Sequence, residues 1–313
     1  MPRADHQGGR RPMRAGLDIG GTKIDAVAID DAGTPVQRLR LATGFGEAEV
    51  LANAAAAVTG LQRLARSEFD SIGVGIPGLV DPATGRVRHA VNLGFDDTAF
   101  GSGLENLVHA PVAVENDVNA AALGAYHLMA LSGPVAYLNL GTGLAAGIVV
   151  DGSLWRGARG VSGEIGHIPV DPLGAVCACG QRGCLETVAS GGAIARLWPI
   201  EHAYPAQALF AAAAGGDPEA LRIRALLFSG VAAAVRILVL TVDVESVVIG
   251  GGLSHVGAPL LDGVRGVLAG WAGSSTFLAS LDLPGRIRLL PDGLSVAAVG
   301  AAMLGAPAAV LRP

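Results

Sequence analysis

The stretch LDIGGT, residues 17–22, decides the fold, because a second stretch, LNLGTG at 138–143, aligns with it without gaps. Each stretch ends a short apolar strand and leads into a second strand that closes in an Asp/Gly turn. Two strands joined by so short a glycine-rich segment form a β-hairpin. An internal repeat of this kind predicts two lobes of similar topology.

Strands and helices alternate along the rest of the chain, which is typical of a largely parallel α/β sheet. Asp217 and Pro218 predict the N-cap and the first residue of one of these helices. The predicted strands cover 15–19, 24–29, 71–76, 111–114, 135–140, 144–150 and 246–249, and the predicted helices include 47–66, 118–129 and 294–304.

Length and charge exclude several classes of protein. With 313 residues the chain is long enough for two domains, and its net charge of −5 argues against a nucleic-acid surface. The most apolar run, 230–242, is too short to cross a membrane and is interrupted by Arg236. Residues 1–14 are basic and polar and are expected to form a disordered tail rather than a signal peptide. We therefore expect a cytoplasmic protein with no nucleic-acid or membrane partner.

All three cysteines lie in one stretch, GEIGHIPVDPLGAVCACGQRGCLE at 163–186. Cys177, Cys179 and Cys184 have the spacing C-x-C-x4-C, and His167 lies ten residues before the first of them, so the stretch offers the four ligands that tetrahedral Zn²⁺ prefers. The alternative is free, partly buried thiols in a reducing compartment. A disulfide would leave one thiol over and would strain the C-x-C pair. The sequence predicts a zinc-binding loop.

The two glycine tips, each with a threonine, are places where the backbone could approach a phosphate closely. Neither has the P-loop or the dinucleotide motif, and for a single tip an ordinary hairpin turn is the alternative. Asp18 could hold Mg²⁺ through water or could cap the turn. Lys23 is the one lysine of the chain, and it could contact phosphate or be solvated. The junction at 250–252 is a third glycine-rich approach.

Five motifs together resemble the ROK family of sugar kinases and repressors, within the actin-like ATPase (ribonuclease H-like) fold. The resemblance covers almost everything from Ala15 onward. It implies a small lobe at 15–117, a large lobe at 118–294 with the zinc loop at 163–186, and a cleft between the lobes. The C-terminal helix near 295–313 is expected to pack back on the small lobe. The motifs are LDIGGTK at 17–23, GIPGLVD at 75–81, VENDVNAAALGA at 114–125, LNLGTG at 138–143 and GEIGH with the cysteines at 163–186.

The resemblance implies an ATP-dependent kinase for a hexose hydroxyl, with glucose to glucose 6-phosphate as the expected reaction and Mg²⁺ and a structural Zn²⁺ as cofactors. The family's general base falls on Asp117, where a carboxylate could take the proton of a sugar hydroxyl. Sequence alone would favour Asp117 as a helix N-cap. The resemblance also implies a homodimer or a dimer of dimers. The implied sugar ligands are Gly78, Asn92, Asn116, Glu164, His167 and Glu186, and the implied nucleotide contacts are Asp18, Gly20, Gly21, Thr22, Lys23, Gly141, Thr142, Gly143, Gly251 and Gly252.

Several alternatives stay open on the sequence. Kinases for N-acetylmannosamine, N-acetylglucosamine, fructose and allose share these motifs, and polyphosphate could replace ATP as the donor. The repressors of the family carry a helix-turn-helix domain before the first motif, and fewer than twenty residues precede it here, so we expect no repressor. A sugar sensor without catalysis is the other alternative, against which Asp18 and Asp117 argue.

Overall fold

The structure is a computed structural model that describes residues 12–202 and 204–305. The described residues form two compact units, one of 12–120 with 295–305 and the other between 121 and 294. Most of the predicted tail, residues 1–11, and the end of the predicted C-terminal segment, 306–313, lie outside the described residues. Arg14, which the sequence analysis assigns to the tail, instead begins the first strand and is buried.

All seven predicted strands are present, and the described residues form six more strands that the sequence analysis did not predict. In chain order the strands and helices are β1 (Arg14–Ile19), β2 (Lys23–Ile29), β3 (Pro35–Ala42), α1 (Glu47–Ala65), β4 (Ser71–Ile76), β5 (Leu79–Asp81), β6 (Arg86–Ala90), β7 (Phe95–Thr98), α2 (Phe100–Val108), β8 (Val112–Asn116), α3 (Asp117–Leu128), β9 (Val135–Leu140), β10 (Leu144–Val150), β11 (Ser153–Leu154), α4 (Gly191–Leu197), α5 (Pro205–Ala214), α6 (Pro218–Val242), β12 (Ser246–Gly250), α7 (Ala258–Gly273), α8 (Thr276–Ala279), β13 (Ile287–Leu289) and α9 (Val296–Met303).

The first unit is built on a five-stranded sheet with the order β3-β2-β1-β4-β8. The strands β1, β2 and β3 are antiparallel neighbours, because the turns between them are too short for a crossover. The strands β4 and β8 run parallel to β1, and a small antiparallel sheet of β5, β6 and β7 follows β4. The core of this unit lies between the larger sheet and helices α1 and α2.

The second unit repeats this arrangement with the order β11-β10-β9-β12-β13. Again the first three strands are antiparallel neighbours, and β12 and β13 run parallel to β9. Its core lies between the sheet and helices α6 and α7. In each sheet a three-residue turn, 20–22 or 141–143, joins the central strand to its antiparallel neighbour. The internal repeat predicted from the two glycine tips is therefore present in the sheets.

The prediction of a largely parallel sheet is correct for only part of each sheet. The pairs β1–β4, β4–β8, β9–β12 and β12–β13 are parallel, and the remaining pairs are antiparallel. A glycine tip of three residues can only reverse the chain, so the hairpins that decide the fold also make both sheets mixed.

Helix α9 packs against the first unit's sheet where its strands carry glycine. A Cβ on Gly16 of β1 would overlap the carbonyl group of Ala298, and one on Gly73 of β4 would overlap that of Ala301. Glycine inside a strand weakens the sheet by itself and often marks the close approach of another backbone. Here it lets the C-terminal helix lie directly on the strands of the first unit.

Helix α6, with 25 residues, is long and apolar enough to cross a membrane by length and composition, and an 18-residue window within it has a mean hydropathy of 2.2. It begins well before the run at 230–242, at Pro218, and the side chain of Asp217 caps it as predicted by accepting from the N–H of Ala220. One face of the helix lies in the core of the second unit. Arg236 stacks on the ring of Trp271 at 4.3 Å, so the charge that interrupts the apolar run has a partner.

We expect Gly73→Ala to destabilise the protein by about 2 kcal/mol, because the new methyl group must displace the backbone of α9. Urea unfolding followed by circular dichroism measures the change. The matched control is Gly270→Ala on α7, where an added Cβ meets nothing within 4 Å and a helical alanine is favoured by up to about 1 kcal/mol. Equal stability of Gly73→Ala and the wild type would contradict the packing argument.

Candidate functional site

The first glycine tip is closed by the protein's own hydrogen bonds. The N–H of Gly20 donates to the carbonyl oxygen of Lys23 at 2.9 Å. From the end of β3, Thr43 Oγ1 donates to the carbonyl oxygen of Gly20 at 2.6 Å, and the Thr43 N–H donates to that of Thr22 at 3.2 Å. Thr43 is completely buried, and sequence analysis missed it because a single threonine outside a motif gives no signal. The tip is therefore held in one conformation without a ligand.

Two further predicted residues lie at this tip. A Cβ on Gly21 would lie 3.6 Å from the carbonyl oxygen of Asn92, so the structure brings Asn92 beside the tip. The Nζ of Lys23 lies 3.9 Å from a carboxylate oxygen of Asp25, and its side chain is 54% exposed. Lys23 thus has a weak, solvated ion pair and could turn towards an anion at little cost.

Asp18 and Asp117 are neighbours in the first unit. Asp18 is the second-last residue of β1, and Asp117 begins α3 directly after β8. Between them Gly75 of β4 pairs with Asp18, and a Cβ on Gly75 would lie 3.5 Å from the Cα of Asp117. The pKa of Asp18 is raised to about 7, first by burial and then by the charges of Asp117 and Asp25. A partly buried carboxylate beside others is a place where a divalent cation would be stabilised.

Asn116 caps helix α3 together with Asp117, the residue that the sequence analysis considered for this role, whose Oδ1 accepts from the N–H of Val118 at 3.0 Å. The Oδ1 of Asn116 accepts from the N–H of Val118 at 2.9 Å and from that of Asn119 at 3.3 Å. Its Nδ2 donates to the carbonyl oxygen of Gly78 at 3.3 Å. The amide oxygen is thus used within the protein, and only the second N–H hydrogen can reach a ligand. The group that Asn116 has left for a sugar hydroxyl is therefore a donor.

Glu115 supports the same helix start from inside. Its Oε1 accepts from the N–H of Asn116 at 2.9 Å and from Nδ2 of Asn119 at 3.0 Å, and its side chain is buried. Strand β8 extends to Asn116, two residues beyond the predicted end at 114, because Glu115 and Asn116 still pair with strand β4. Sequence analysis gave Glu115 no role. The structure assigns it to the rigid junction that presents Asp117.

The predicted zinc ligands lie together in the second unit. Ligand atoms of His167, Cys177, Cys179 and Cys184 all lie within 4.8 Å of one another. The Nδ1 of His167 is 3.7 Å from Sγ of Cys177, and Sγ of Cys179 is 3.7 Å from Sγ of Cys184. Two sulfurs about 2.3 Å from a tetrahedral zinc would be about 3.8 Å apart, whereas bonded sulfurs would be about 2.05 Å apart. The cluster has the dimensions of a metal site and not of a disulfide.

Tight backbone turns bring the thiols together. The N–H of Cys177 donates to the carbonyl oxygen of Gln181 at 2.8 Å, and the N–H of Gly180 donates back to that of Cys177 at 2.9 Å. Gly183 has a φ of 75°, and a Cβ there would overlap the carbonyl group of Asp171. Hydrogen bonds from the backbone and side-chain amides of Gln181 lower the pKa of Cys179 to about 6. This favours the thiolate, which is the form that binds metals.

Two of the three predicted sugar ligands of the second unit, His167 and Glu186, lie on two short 3₁₀ helices that pack against each other, Ile165–His167 and Leu185–Thr187. Glu164 precedes the first of these and is exposed. The Nδ1 of His167 faces Cys177, so its Nε2 is the nitrogen left for a ligand. Glu186 is half-buried, and its Oε2 accepts from the N–H of Leu144 at 3.0 Å.

A pocket of about 870 Å³ in the second unit brings the second glycine tip and the third glycine junction together. Gly141 and Thr142 line one part of it and Gly252 another, as the resemblance implies for a nucleotide. Gly251, the residue before Gly252, has a φ of 77°, and a Cβ there would overlap the backbone of Leu140. Sequence analysis missed further lining residues, because nothing in the local pattern marks them. They include Gly191, Gly192, Tyr204, Gln207 and His255.

Comparison with known proteins decides the family. The model of the ROK family matches residues 14–304, almost the whole described chain. The chain belongs to the ROK family. The resemblance drawn from the five motifs is thus confirmed, and so is the α/β fold class of ROK sugar kinases.

Two curated ROK relatives have different substrates in their names. A glucokinase of Halalkalibacterium halodurans is 36% identical over 80% of this chain and 83% of its own length. An N-acetylmannosamine kinase of Yersinia pseudotuberculosis is 32% identical over 75% of this chain and 81% of its own.

Two solved ROK structures cover nearly the whole chain. The ROK hexokinase of Thermus thermophilus has a TM-score of 0.78 at 33% identity, covering 93% of this chain and 97% of its own. The ROK glucokinase of Streptomyces griseus, in complex with glucose and AMPPNP, has a TM-score of 0.75 at 32% identity, covering 93% and 98%.

Asp18 gives the metal-free protein a dependence of stability on pH. Because its pKa in the folded state is about 7, against about 3.9 when unfolded, the folded state holds an extra proton between these values. The stability that the protonated Asp18 contributes is complete below about pH 4 and is lost as the pH rises through about 7. We expect Asp18→Asn to raise the melting temperature more at pH 8 than at pH 5, in chelator. The same gain at both values would contradict a raised pKa.

Proposed function

We propose that this ROK protein is an ATP-dependent hexose kinase that converts glucose to glucose 6-phosphate. The observation that carries the proposal is Asp117, fixed at the start of α3 beside Asp18 and the first glycine tip. Support comes from glucokinase relatives at over 30% identity and from the related glucokinase that binds glucose and AMPPNP.

Asp117 is the proposed general base. A sugar hydroxyl is a poor nucleophile, and a carboxylate within hydrogen-bond reach orients it and accepts its proton as the phosphoryl group is transferred. Because Asn116 and Glu115 hold the helix start, the Asp117 backbone is fixed before the sugar binds. The second Nδ2 hydrogen of Asn116 would donate to a sugar hydroxyl near Gly78 and Asn92.

The two glycine tips are the proposed phosphate contacts. Exposed N–H groups and threonine hydroxyls donate to phosphate oxygens, and glycine allows close approach. Residues 20–22 with Lys23 would be the phosphate contacts of the first unit. Residues 141–143 would be those of the second unit. Asp18 would hold Mg²⁺ through water, which supplies charge neutralisation for the phosphates. A cation there also relieves the repulsion between Asp18 and Asp117.

The cysteine cluster is the proposed zinc site. His167, Cys177, Cys179 and Cys184 would be its four ligands, and four protein ligands leave no open position, so the zinc would be structural. With Nδ1 on the metal, the ring of His167 is fixed and Nε2 is directed at the sugar. Glu164 and Glu186 would accept from sugar hydroxyls.

One further substrate is favoured by a specific observation. The N-acetylmannosamine kinase of Yersinia pseudotuberculosis matches at 32% identity, so N-acetylmannosamine is the second candidate. N-acetylglucosamine and fructose are the other substrates that the motifs allow. A homodimer or a dimer of dimers in the cytoplasm is the assembly that we propose with this function.

A panel of hexoses and N-acetylhexosamines, read by ADP release with ATP and Mg²⁺, tests the activity. We expect glucose to react and Asp117→Asn to lower kcat by about a hundredfold or more, because the proton acceptor is lost. The matched control is Asp262→Asn on the exposed side of α7. Glucose binding without turnover in the wild type would support the sensor and overturn the kinase.

Tyr204 is proposed to stack on the adenine ring. It is an aromatic residue of the pocket lining, its side chain is exposed, and Gln207 one turn along α5 could bond the base edge. We expect Tyr204→Ala to raise KM for ATP about tenfold and to leave KM for glucose unchanged. The control Tyr204→Phe keeps the ring and should stay within about twofold. An unchanged KM for ATP in Tyr204→Ala would place the base elsewhere.

A further inference from the structure

The carboxylate of Glu186 contacts the backbone of the second glycine tip. Its Oε2 accepts from the N–H of Leu144, the residue after the tip, at 3.0 Å. A Cβ on Gly143 would lie 2.5 Å from the same oxygen, so glycine is needed there to leave room. Its Oε1 lies 4.0 Å from Sγ of Cys177. One oxygen thus holds the tip while the other lies at the cysteine cluster.

The start of α4 holds the other side of the same tip. The N–H groups of Gly191 and Gly192 donate to the carbonyl oxygens of Gly141 and Thr142 at 2.7 and 3.0 Å. A Cβ on either α4 glycine would lie 2.8 Å from those oxygens. Because C=O and N–H of a trans peptide point in opposite directions, the N–H groups of Thr142 and Gly143 point away from α4. These are the donors that a phosphate would need.

A continuous set of hydrogen bonds joins these contacts to the cysteine cluster. Thr187 donates to the carbonyl oxygen of Cys184 through its N–H at 2.9 Å and through Oγ1 at 2.7 Å. Ser190 Oγ donates to the carbonyl oxygen of Glu186 at 2.9 Å and accepts from the N–H of Ala193 at 3.0 Å. Hydrogen bonds therefore hold the segment 184–193 together. It carries the Cys184 thiol at one end, and Glu186, Gly191 and Gly192 along it contact the tip.

We propose that Glu186 is a positioning residue that couples the cysteine cluster to the second phosphate tip, so that metal at the cluster strengthens nucleotide binding. The inference rests on the proposed function, because its ligand is a nucleoside triphosphate. A carboxylate near a phosphate weakens binding by charge, whereas its hydrogen bond to Leu144 strengthens binding by fixing the tip. The bond and the charge act in opposite directions, so two variants at this position separate them.

The test is the dissociation constant of AMPPNP with Mg²⁺, measured by calorimetry on the full chain with its metal and without sugar. Glu186→Ala should raise Kd about tenfold, the effect of losing one charge-assisted hydrogen bond. Glu186→Gln keeps an acceptor for the Leu144 N–H and should stay within about twofold of the wild type. The matched control Glu219→Ala, on the exposed side of α6, should leave Kd unchanged.

Removing the metal by chelation, verified by metal analysis, completes the experiment. Kd should rise in the wild type and change little further in Glu186→Ala, because the coupling residue is already absent. An unchanged Kd in the folded Glu186→Ala variant, or tighter binding in both variants, would overturn the proposal. If Glu186→Ala does not fold, the chelation result on the wild type decides. AMPPNP binding without ADP release from any sugar would instead refute the kinase and leave this coupling intact.

Discussion

A three-residue turn at the same place in each sheet constrains everything else in this structure. Within 20–22 and 141–143 the chain must reverse, which forces antiparallel neighbours, and glycine at two of the three positions lets other groups approach the backbone closely. The first turn is fixed by Thr43, and the second by Glu186 and the start of α4. A turn fixed in advance loses little entropy when a phosphate binds, so the proposed chemistry depends on these external contacts.

Glycine has a distinct use at each of the points where the proposed chemistry needs close packing. Gly75 lets the start of α3 approach β4, which brings Asp117 beside Asp18. Gly143 leaves room for the carboxylate of Glu186, and Gly73 lets α9 lie on the first sheet. At Gly143 and Gly73 a methyl group would have to displace a carboxylate or a backbone, and at Gly75 it would meet the Cβ of Ala120 at 3.2 Å. The glycine content of the chain therefore reflects contacts between elements as well as turns.

Both candidate cation sites bring groups together that repel each other when ionised. Asp18 lies near Asp117 with a raised pKa, and three thiols converge on His167. Folding holds these groups in place through hydrogen bonds to the backbone, such as those of Glu115 and Gln181. A cation at either site would remove the repulsion. Because the cation would bind the folded state, its binding free energy would add to the free energy of unfolding.

The sequence by itself determined the hairpin repeat and the family, because these depend on short motifs whose residues are neighbours in the chain. It also determined the metal cluster, since its four ligands span only 167–184. Only the tertiary structure decided that Asn116 caps α3, that Tyr204 lines the pocket of the second unit and that Glu186 holds Leu144. The last pair is separated by 42 positions, and such contacts follow from how whole elements pack, which no local pattern of residues encodes.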